Sequence, residues 1–463
     1  MTYNPRTQEA YKLFHDGILA LARAEEQGIR INMEYVTRKI RKLNREMEVL
    51  EEEFKESSLF KHWQHTTRGI VNIHSPIQLS HFLYKIKKIK VEKETISGQG
   101  SVDDEALQKS NIPELLTLLE IRKMKKIRDY LEIFEREQIR GYIHPFFNLH
   151  LVQTYRSSSD HPNFQNIPKR DEESMRIVRR ALLPRPGHQL LEVDYSGLEV
   201  RIAACYHKDS TMLRYIKDPT SDMHTDMAKQ IFKVNKFDKN IPEHYTLRQA
   251  AKNGFIFPEF YGDYYKNCAP NLVCNWGKLS QGKWKPGEGI PMPKGNLSDH
   301  LISKGLPSFN AFTEHLRKIE DDFWSNRFYE YAQWKDRWYT LYKKQGYVDL
   351  LTGFRCGGVM DKKQVINYPV QGAAFHCLLW SFVKMDEVIR KQGWDTRLVG
   401  QIHDAIILDI NPKELPTIVQ MMKRITCKDL VKAWPWIIVP MDIEMELCPI
   451  DGNWAEKKKY TIL

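Results

Sequence analysis

The sequence has no apolar run of the roughly 20 residues that a membrane span needs. Its opening, "MTYNPRTQEAY", lacks the apolar core of a secretion signal. Both absences argue against a helical membrane protein and predict a soluble chain in the cytoplasm (that of a host cell, if the chain is viral). Cysteine is sparse: the seven are odd in number, scattered, and form no C-x-x-C pair. Neither a zinc ribbon nor a disulfide framework follows from that pattern, and a reducing compartment suits it. Internal repeats and low-complexity tails are also missing. What is present is 463 residues, 42% hydrophobic, enough for two or three packed subregions. Seventy Lys and Arg against fifty-nine Asp and Glu leave a formal charge of +11. That surplus favours polyanionic partners, nucleic acid before an acidic membrane surface.

From about Glu9 to Arg140 the chain reads as helical and highly charged. "NMEYVTRKIRKLNREMEVLEEEFKESSLF" spaces apolar residues three and four apart, as a long exposed helix does. "HSPIQLSHFLYKI" offers Ser75 as N-cap and Pro76 as first helical residue. "PELLTLLEIRKMKKIRDYLEIFERE" predicts a third helix. Two basic runs, "KIKKIKVEK" and "RKMKKIRD", are solvated helix faces on their own terms, and phosphate contacts only if the rest binds nucleic acid. After about Gly141 short β-like runs alternate with helical stretches, an α+β or α/β pattern. Between Asn267 and Pro307 the composition turns to Gly, Pro, Lys and Ser ("GKLSQGKWKPGEGIPMPKG"), which predicts an exposed insertion or mobile loop.

Chemistry concentrates on two aspartates. In "LLEVDYSGLEVRIAACYH" a buried-strand pattern ends at Asp194, and an amphipathic helix pattern follows. A carboxylate there is costly unless a cation compensates it. "RLVGQIHDAIILDI" supplies a second in similar packaging: two apolar runs flank His403 and Asp404, the pattern of a β-hairpin with an aspartate at its tip. Singly, each aspartate reads as a turn cap. Together, with a backbone carbonyl, they make a hard oxygen site suited to magnesium. Two such ions can clamp the attacking and leaving oxygens of a phosphoryl displacement.

These residues carry a resemblance. "DYSGLEVR" resembles the D-Y-S-x-x-E-x-R motif of family A DNA polymerases, and "QIHDAIIL" resembles their Q-x-H-D-E motif. In order along the chain, "TYRSSSDHPNFQNIP", "SDMHTDMAKQIF", "GYVDLLTGFR" and "INYPVQGAAFHCL" resemble further segments of the family, and "ARAEEQGIRINMEYV" resembles the opening of its thumb. The likeness runs from about Tyr11 to Trp454. It implies an α+β right-hand fold: helical thumb at 1–140, palm at 141–207 and 346–463, helical fingers at 208–345 with an insertion near 267–307. It also implies DNA-directed DNA polymerase activity: a nucleotidyltransferase in DNA replication that adds deoxynucleotides to a primer 3′-hydroxyl with two Mg²⁺ ions.

By the same resemblance Asp194 and Asp404 hold the metals, with the Val193 backbone carbonyl as third ligand. Glu199 is the steric gate against a ribose 2′-hydroxyl. Arg248 and Lys252, four residues apart, grip the triphosphate, Lys252 counting with the catalytic group, and His224 joins them. Arg156 reaches the minor groove at the primer end, Lys363, Asn367 and Gln371 meet DNA, and His403 lies beside the primer terminus. In the fingers helix the count departs from the family: strict fourfold spacing from Lys252 lands on Ile256 and Phe260, and Pro258 stands where Gly is usual. One inserted residue, taken up in a local bulge, puts Phe257 and Tyr261 at the stacking positions instead. Ala405 replaces the family's glutamate, Tyr155 a glycine, and Ser157 a leucine. Beginning almost at the thumb, the sequence leaves no room for an exonuclease domain. The expectation is therefore a bacteriophage or mobile-element enzyme, a monomer, with proofreading absent or supplied by a separate exonuclease, and a helicase as a further partner. The competing readings are a single-subunit RNA polymerase, against which Glu199 argues, and a non-catalytic nucleic-acid-binding protein with a degenerate palm.

Overall fold

The computed structural model describes the whole chain except residues 1–4, 92–94, 96–97, 111, 170, 278 and 462–463. Its centre is an antiparallel sheet of β1 (Gln189–Tyr195), β2 (Arg397–Ile402), β3 (Ala405–Ile410), β4 (Ile443–Leu447) and β5 (Lys458–Lys459). The order is β5-β4-β1-β3-β2. β1 is central and every residue of it is buried except Asp194. A strand covered on both faces suits this largely apolar run, and its one partly exposed residue marks where the cover stops.

Around and beyond this sheet the chain forms the helices α1 (Gln8–Gln27), α2 (Met33–Glu56), α3 (Pro113–Glu137), α4 (Leu198–His207), α5 (Met223–Ile231), α6 (Pro242–Ala251), α7 (Phe257–Phe260), α8 (Phe309–Asp322), α9 (Tyr329–Gln345) and α10 (Lys362–Gln392). α2 and α3 match the expected long helices and pack on each other. With the segment between them they enclose a separate apolar cluster that includes Phe54, Trp63, Phe82 and Leu118. Ser75 caps a short helix from Pro76, accepting from the Gln78 N–H at 3.3 Å. α1 departs from the expected thumb, because it packs on α10 and β2 and so belongs with the sheet. Among the described residues no helix is long and apolar enough to cross a membrane.

The second basic run turns out to be largely neutralised within the protein. Lys123 pairs with Glu173 at 2.6 Å and Asp171 at 3.3 Å, Lys125 with Asp129 at 2.9 Å, and Arg128 with Glu132 at 3.2 Å. Glu92 and Lys93 of the first run lie outside the described residues.

The 267–307 stretch is not a mobile loop. It begins helically, through Tyr265–Pro270 and a π turn at Asn271–Trp276. It then folds back in bridges between Lys283 and Ser308 and between Pro291 and Asn296, and adds a helix at Leu297–Ser303. Trp284, Leu297 and Leu301 are buried. Its Gly and Pro residues shape tight turns around these anchors, so the composition that reads as loop encodes a compact appendage.

Candidate active site

β1 and the β2–β3 hairpin bring the two aspartates together. Ile402 pairs with Ala405, leaving His403 and Asp404 as a two-residue tip, with His403 exposed at φ 53°. Ala405 lies directly across from Asp194, and the Tyr195 N–H donates to the Asp404 carbonyl at 3.1 Å. Burial raises both carboxyls above their ordinary range. Asp404 is pushed up to about 6, first by burial and then by the neighbouring Glu199 and Asp194 charges. Two cations offset this only in part: Lys169 Nζ lies 3.4 Å from Asp194 and Arg156 Nη2 lies 3.7 Å from Asp404.

Charge of this kind, crowded and incompletely compensated, suits a divalent cation. Magnesium is commonly held by one or two carboxylates, with waters and substrate phosphate oxygens completing its shell. That description fits the donors present; no cage of three or more His, Cys, Asp or Glu occurs among the described residues. Val193 is the expected ligand that the sheet does not free. It pairs with Ile406 and Met445, and the hydrogen-bond alternation set by Tyr195 and Asp404 commits its carbonyl to Ile406.

Across the cleft, a π turn at Lys252–Ile256 separates α6 from α7, closed by the Phe257 N–H on the Lys252 carbonyl. The wider turn absorbs one residue and relieves the proline ring's clash with the preceding turn. Ile256 and Phe260 are consequently buried, 0% and 7% exposed, with Phe260 on the inner wall of the cavity that Phe257 and Tyr261 line with Glu199 and Asp404. The Tyr261 hydroxyl donates to Glu199 from the far wall. The same carboxylate accepts from Arg156 Nη1 at 3.1 Å.

Behind Phe257, on α5, α6 and the π turn, Arg248, Lys252 and His224 gather. Arg248 donates to Asp222 through Nε at 2.9 Å and Nη2 at 3.2 Å, and approaches His224 Nδ1 at 3.4 Å. Lys252 Nζ stands 5.3 Å from the Phe257 ring centroid, its pKa lowered by burial and then by Arg248. Burial, Arg248 and Lys252 hold His224 down at about 4, so the ring is neutral at pH 7. Its Nε2 is buried without a hydrogen-bond partner, an arrangement that a ligand oxygen would complete.

The third wall is α10. Lys363, Asn367 and Gln371 recur every fourth residue on one face; Asn367 and Gln371 line the cavity, and Lys363 packs over Gly262. Asn367 Nδ2 donates to the Tyr261 carbonyl at 3.4 Å. Gly372 lets the helix touch the backbone at Thr154, because a Cβ there would sit 2.2 Å from the Thr154 carbonyl oxygen. That contact seats the Arg156 loop. Tyr155 stands at φ 59°, in the left-handed region where the family's glycine is natural. Its buried ring packs on Phe14 and Phe354 and its hydroxyl donates to the Arg355 carbonyl at 2.5 Å, offsetting the strain.

Sequence reasoning missed Lys169 and Asp222. Lys169 follows the quoted "NFQNIP" directly, and Asp222 opens the quoted "DMHTDMAKQIF". Only the fold shows that each pairs with a site residue 25 or 26 positions away.

Comparison with known proteins agrees with this geometry. The model of DNA polymerase family A matches residues 33–277 and 306–456, leaving out 278–305, the folded-back part of the insertion. DNA polymerase I of Aquifex aeolicus (strain VF5) is 28% identical over 439 residues, which cover 94% of this chain and 66% of that protein. DNA polymerase I of Chloroflexus aurantiacus is 26% identical over 450 residues, 95% of this chain and 42% of that protein. The chain thus spans two thirds or less of the length of these relatives. The polymerase domain of Pol1 from M. smegmatis, solved with DNA primer-template and dNTP, shares the fold with a TM-score of 0.74 at 22% identity, covering 95% of this chain and 70% of that one. Matched by that family model over most of its length, the chain belongs to DNA polymerase family A.

Proposed function

We propose that the chain is a DNA-directed DNA polymerase that transfers deoxynucleotides from their triphosphates to a primer 3′-hydroxyl and releases pyrophosphate. One observation carries the reading: Asp404, beside Asp194 at one end of the sheet, lines a cleft with Phe257 and Tyr261, and the Arg248–Lys252–His224 group adjoins Phe257. In this reading the sheet with its flanking helices is the palm, α2 and α3 with the segment between them the thumb, and 208–345 the fingers.

Asp194 and Asp404 would hold two divalent ions, magnesium by the chemistry of the donors, and a strand-end carbonyl such as that of Tyr195 suits the third position better than Val193. Bound there, the ions would lower the cost of the 3′-oxyanion and of charge on the transferring phosphoryl group. Arg248, Lys252 and His224 Nε2 would bind the triphosphate, with Lys252 neutralising the leaving pyrophosphate. Phe257 and Tyr261 would carry the base, and Glu199, held from both sides, would crowd a ribose 2′-hydroxyl. Arg156, Lys363, Asn367, Gln371 and His403 would meet the primer-template, whose minor-groove acceptors are common to every correct pair. Ala405 stands where the family carries a glutamate after the second aspartate, which lowers local charge but keeps both ligands.

Primer extension with magnesium and four deoxynucleotides tests this. The parent should extend a labelled primer in template order, and Asp404→Ala should lose at least about 10²–10³-fold in rate while still binding DNA. Tight DNA binding with no extension by the parent would make the palm degenerate and the reading wrong.

A further inference from the structure

We propose that Lys239 is an additional phosphate-binding residue of the nucleotide site, and that the 278–305 segment is the buttress that keeps it within reach of the terminal phosphates. The inference rests on the polymerase reading above and extends it to a residue and a segment that the reading leaves without a role.

Asp222 caps α5, accepting from the Thr225 N–H at 3.1 Å and the Thr225 hydroxyl at 2.9 Å. Its carboxylate takes both donors of the Arg248 fork, and against the rise that burial alone would cause, Arg248, then Lys239 and Thr225, hold it well below the usual carboxylate range. One guanidinium and the helix cap already satisfy it. Yet Lys239 Nζ also lies 3.0 Å from Asp222 Oδ2, the oxygen that Arg248 Nε meets at 2.9 Å. The Lys239 side chain is 60% exposed, and an ion pair so exposed contributes little to stability. The second cation is therefore unneeded both for charge balance and for folding. Two cations thus share the one Asp222 carboxylate, and a third, Lys252, acts on His224, whose Nε2 has no partner. Such a surplus calls for a polyanion, and the terminal phosphates of a nucleoside triphosphate match it in charge and in place. Lys239, exposed and on a long stem, can leave Asp222 for a phosphate while Arg248 keeps its fork.

Its position depends on the turn between α5 and α6. Inside, the Asp238 N–H donates to His244 Nδ1 at 3.0 Å and Phe237 stacks on the His244 ring at 4.9 Å. Outside, the turn leans on the segment that the family model leaves out. Met292, Pro293 and His300 line a groove with Phe237 and Ile241. His300 Nε2 donates to the Phe232 carbonyl at 2.8 Å, and Lys233 Nζ donates to the Lys304 carbonyl at 3.2 Å. Both bonds tie the appendage to the start of this turn.

Single-nucleotide incorporation by the parent, Lys239→Ala, Lys239→Arg and His300→Ala tests the proposal, beside direct calorimetric binding of inorganic tripolyphosphate. Lys239→Ala should raise the KM for deoxynucleotide about tenfold with kcat, primer-template Kd and Tm near the parent's, and Lys239→Arg should restore KM. His300→Ala should raise KM in the same direction, with no further rise when combined with Lys239→Ala. Tripolyphosphate should bind the parent more tightly than Lys239→Ala. An unchanged KM, or a loss shared equally by primer-template affinity, overturns the role of Lys239; additive effects overturn the buttress. A parent that binds tripolyphosphate through Lys239 but never extends a primer would sink the polymerase reading and leave the phosphate site standing.

Discussion

Glu199 is held from two sides, by Tyr261 of the fingers and by Arg156 of the loop before the sheet. The side chain is thus fixed in place, and a fixed carboxylate can exclude a hydroxyl that a mobile one would tolerate. Glu199→Ala should raise ribonucleotide incorporation relative to deoxynucleotide by about tenfold or more, the discrimination that 1.4 kcal/mol supplies. It should also slow deoxynucleotide transfer, because Arg156 then keeps only Asp404 as its partner. Single-turnover incorporation of matched deoxy- and ribonucleotides reads both effects, and an unchanged ratio would remove the gate. The two aspartates were legible in the sequence because a charged residue ending an apolar run is physically expensive and therefore conspicuous. The Val193 carbonyl was misjudged because a carbonyl's direction depends on register, which no single strand contains.

At the scale of elements, the π turn before α7 decides which side chains serve the cleft. The sequence showed one residue too many and a proline, and a bulge followed from those two facts. The consequence for Glu259 was hidden, since a carboxylate among aromatics reads as an exposed position, yet Glu259 is fully buried, with Trp324 Nε1 donating to it at 2.8 Å. Burial, the leading cause, pushes its carboxyl up to about 8, with Glu320 adding to the rise, while Trp324 and Lys335 offset part of it. The folded protein therefore keeps a proton that the unfolded chain releases near 4.5, so the contribution of Glu259 to stability is greatest at low pH and falls as pH rises toward 8. Relative to Glu259→Gln, the parent should lose on the order of a few kcal/mol in denaturant unfolding between pH 5 and pH 7.5. Glu259→Gln, neutral throughout and able to accept from Trp324, should lose that slope. Equal slopes in both proteins would mean that Glu259 does not stay protonated in α7.

For the whole molecule, the net charge of +11 says little until the paired cations are set aside. The α3 run that looked most basic is occupied by Asp129, Glu132, Asp171 and Glu173; the sequence hides this because two of those four partners lie beyond α3. On α2, Arg38, Arg41 and Arg45 line one open groove and carry no ion pair among the described residues, while Lys42 beside them pairs loosely with Glu46 at 3.4 Å. The thumb's phosphate contacts should therefore come from α2. If the protein meets six to ten phosphates in all, primer-template affinity should fall about 10³–10⁵-fold between 50 and 200 mM salt, and each contact removed should flatten the slope of log affinity against log salt by about 0.9. Replacing Arg38, Arg41 and Arg45 together by Ala should flatten it by up to about three such steps. Replacing Lys123 and Lys125 should leave it unchanged, because cations already paired release no counterions from DNA. The reverse result, a slope that responds to α3 and ignores α2, would mean that those ion pairs open on DNA and that the free protein shows a thumb turned away from its duplex.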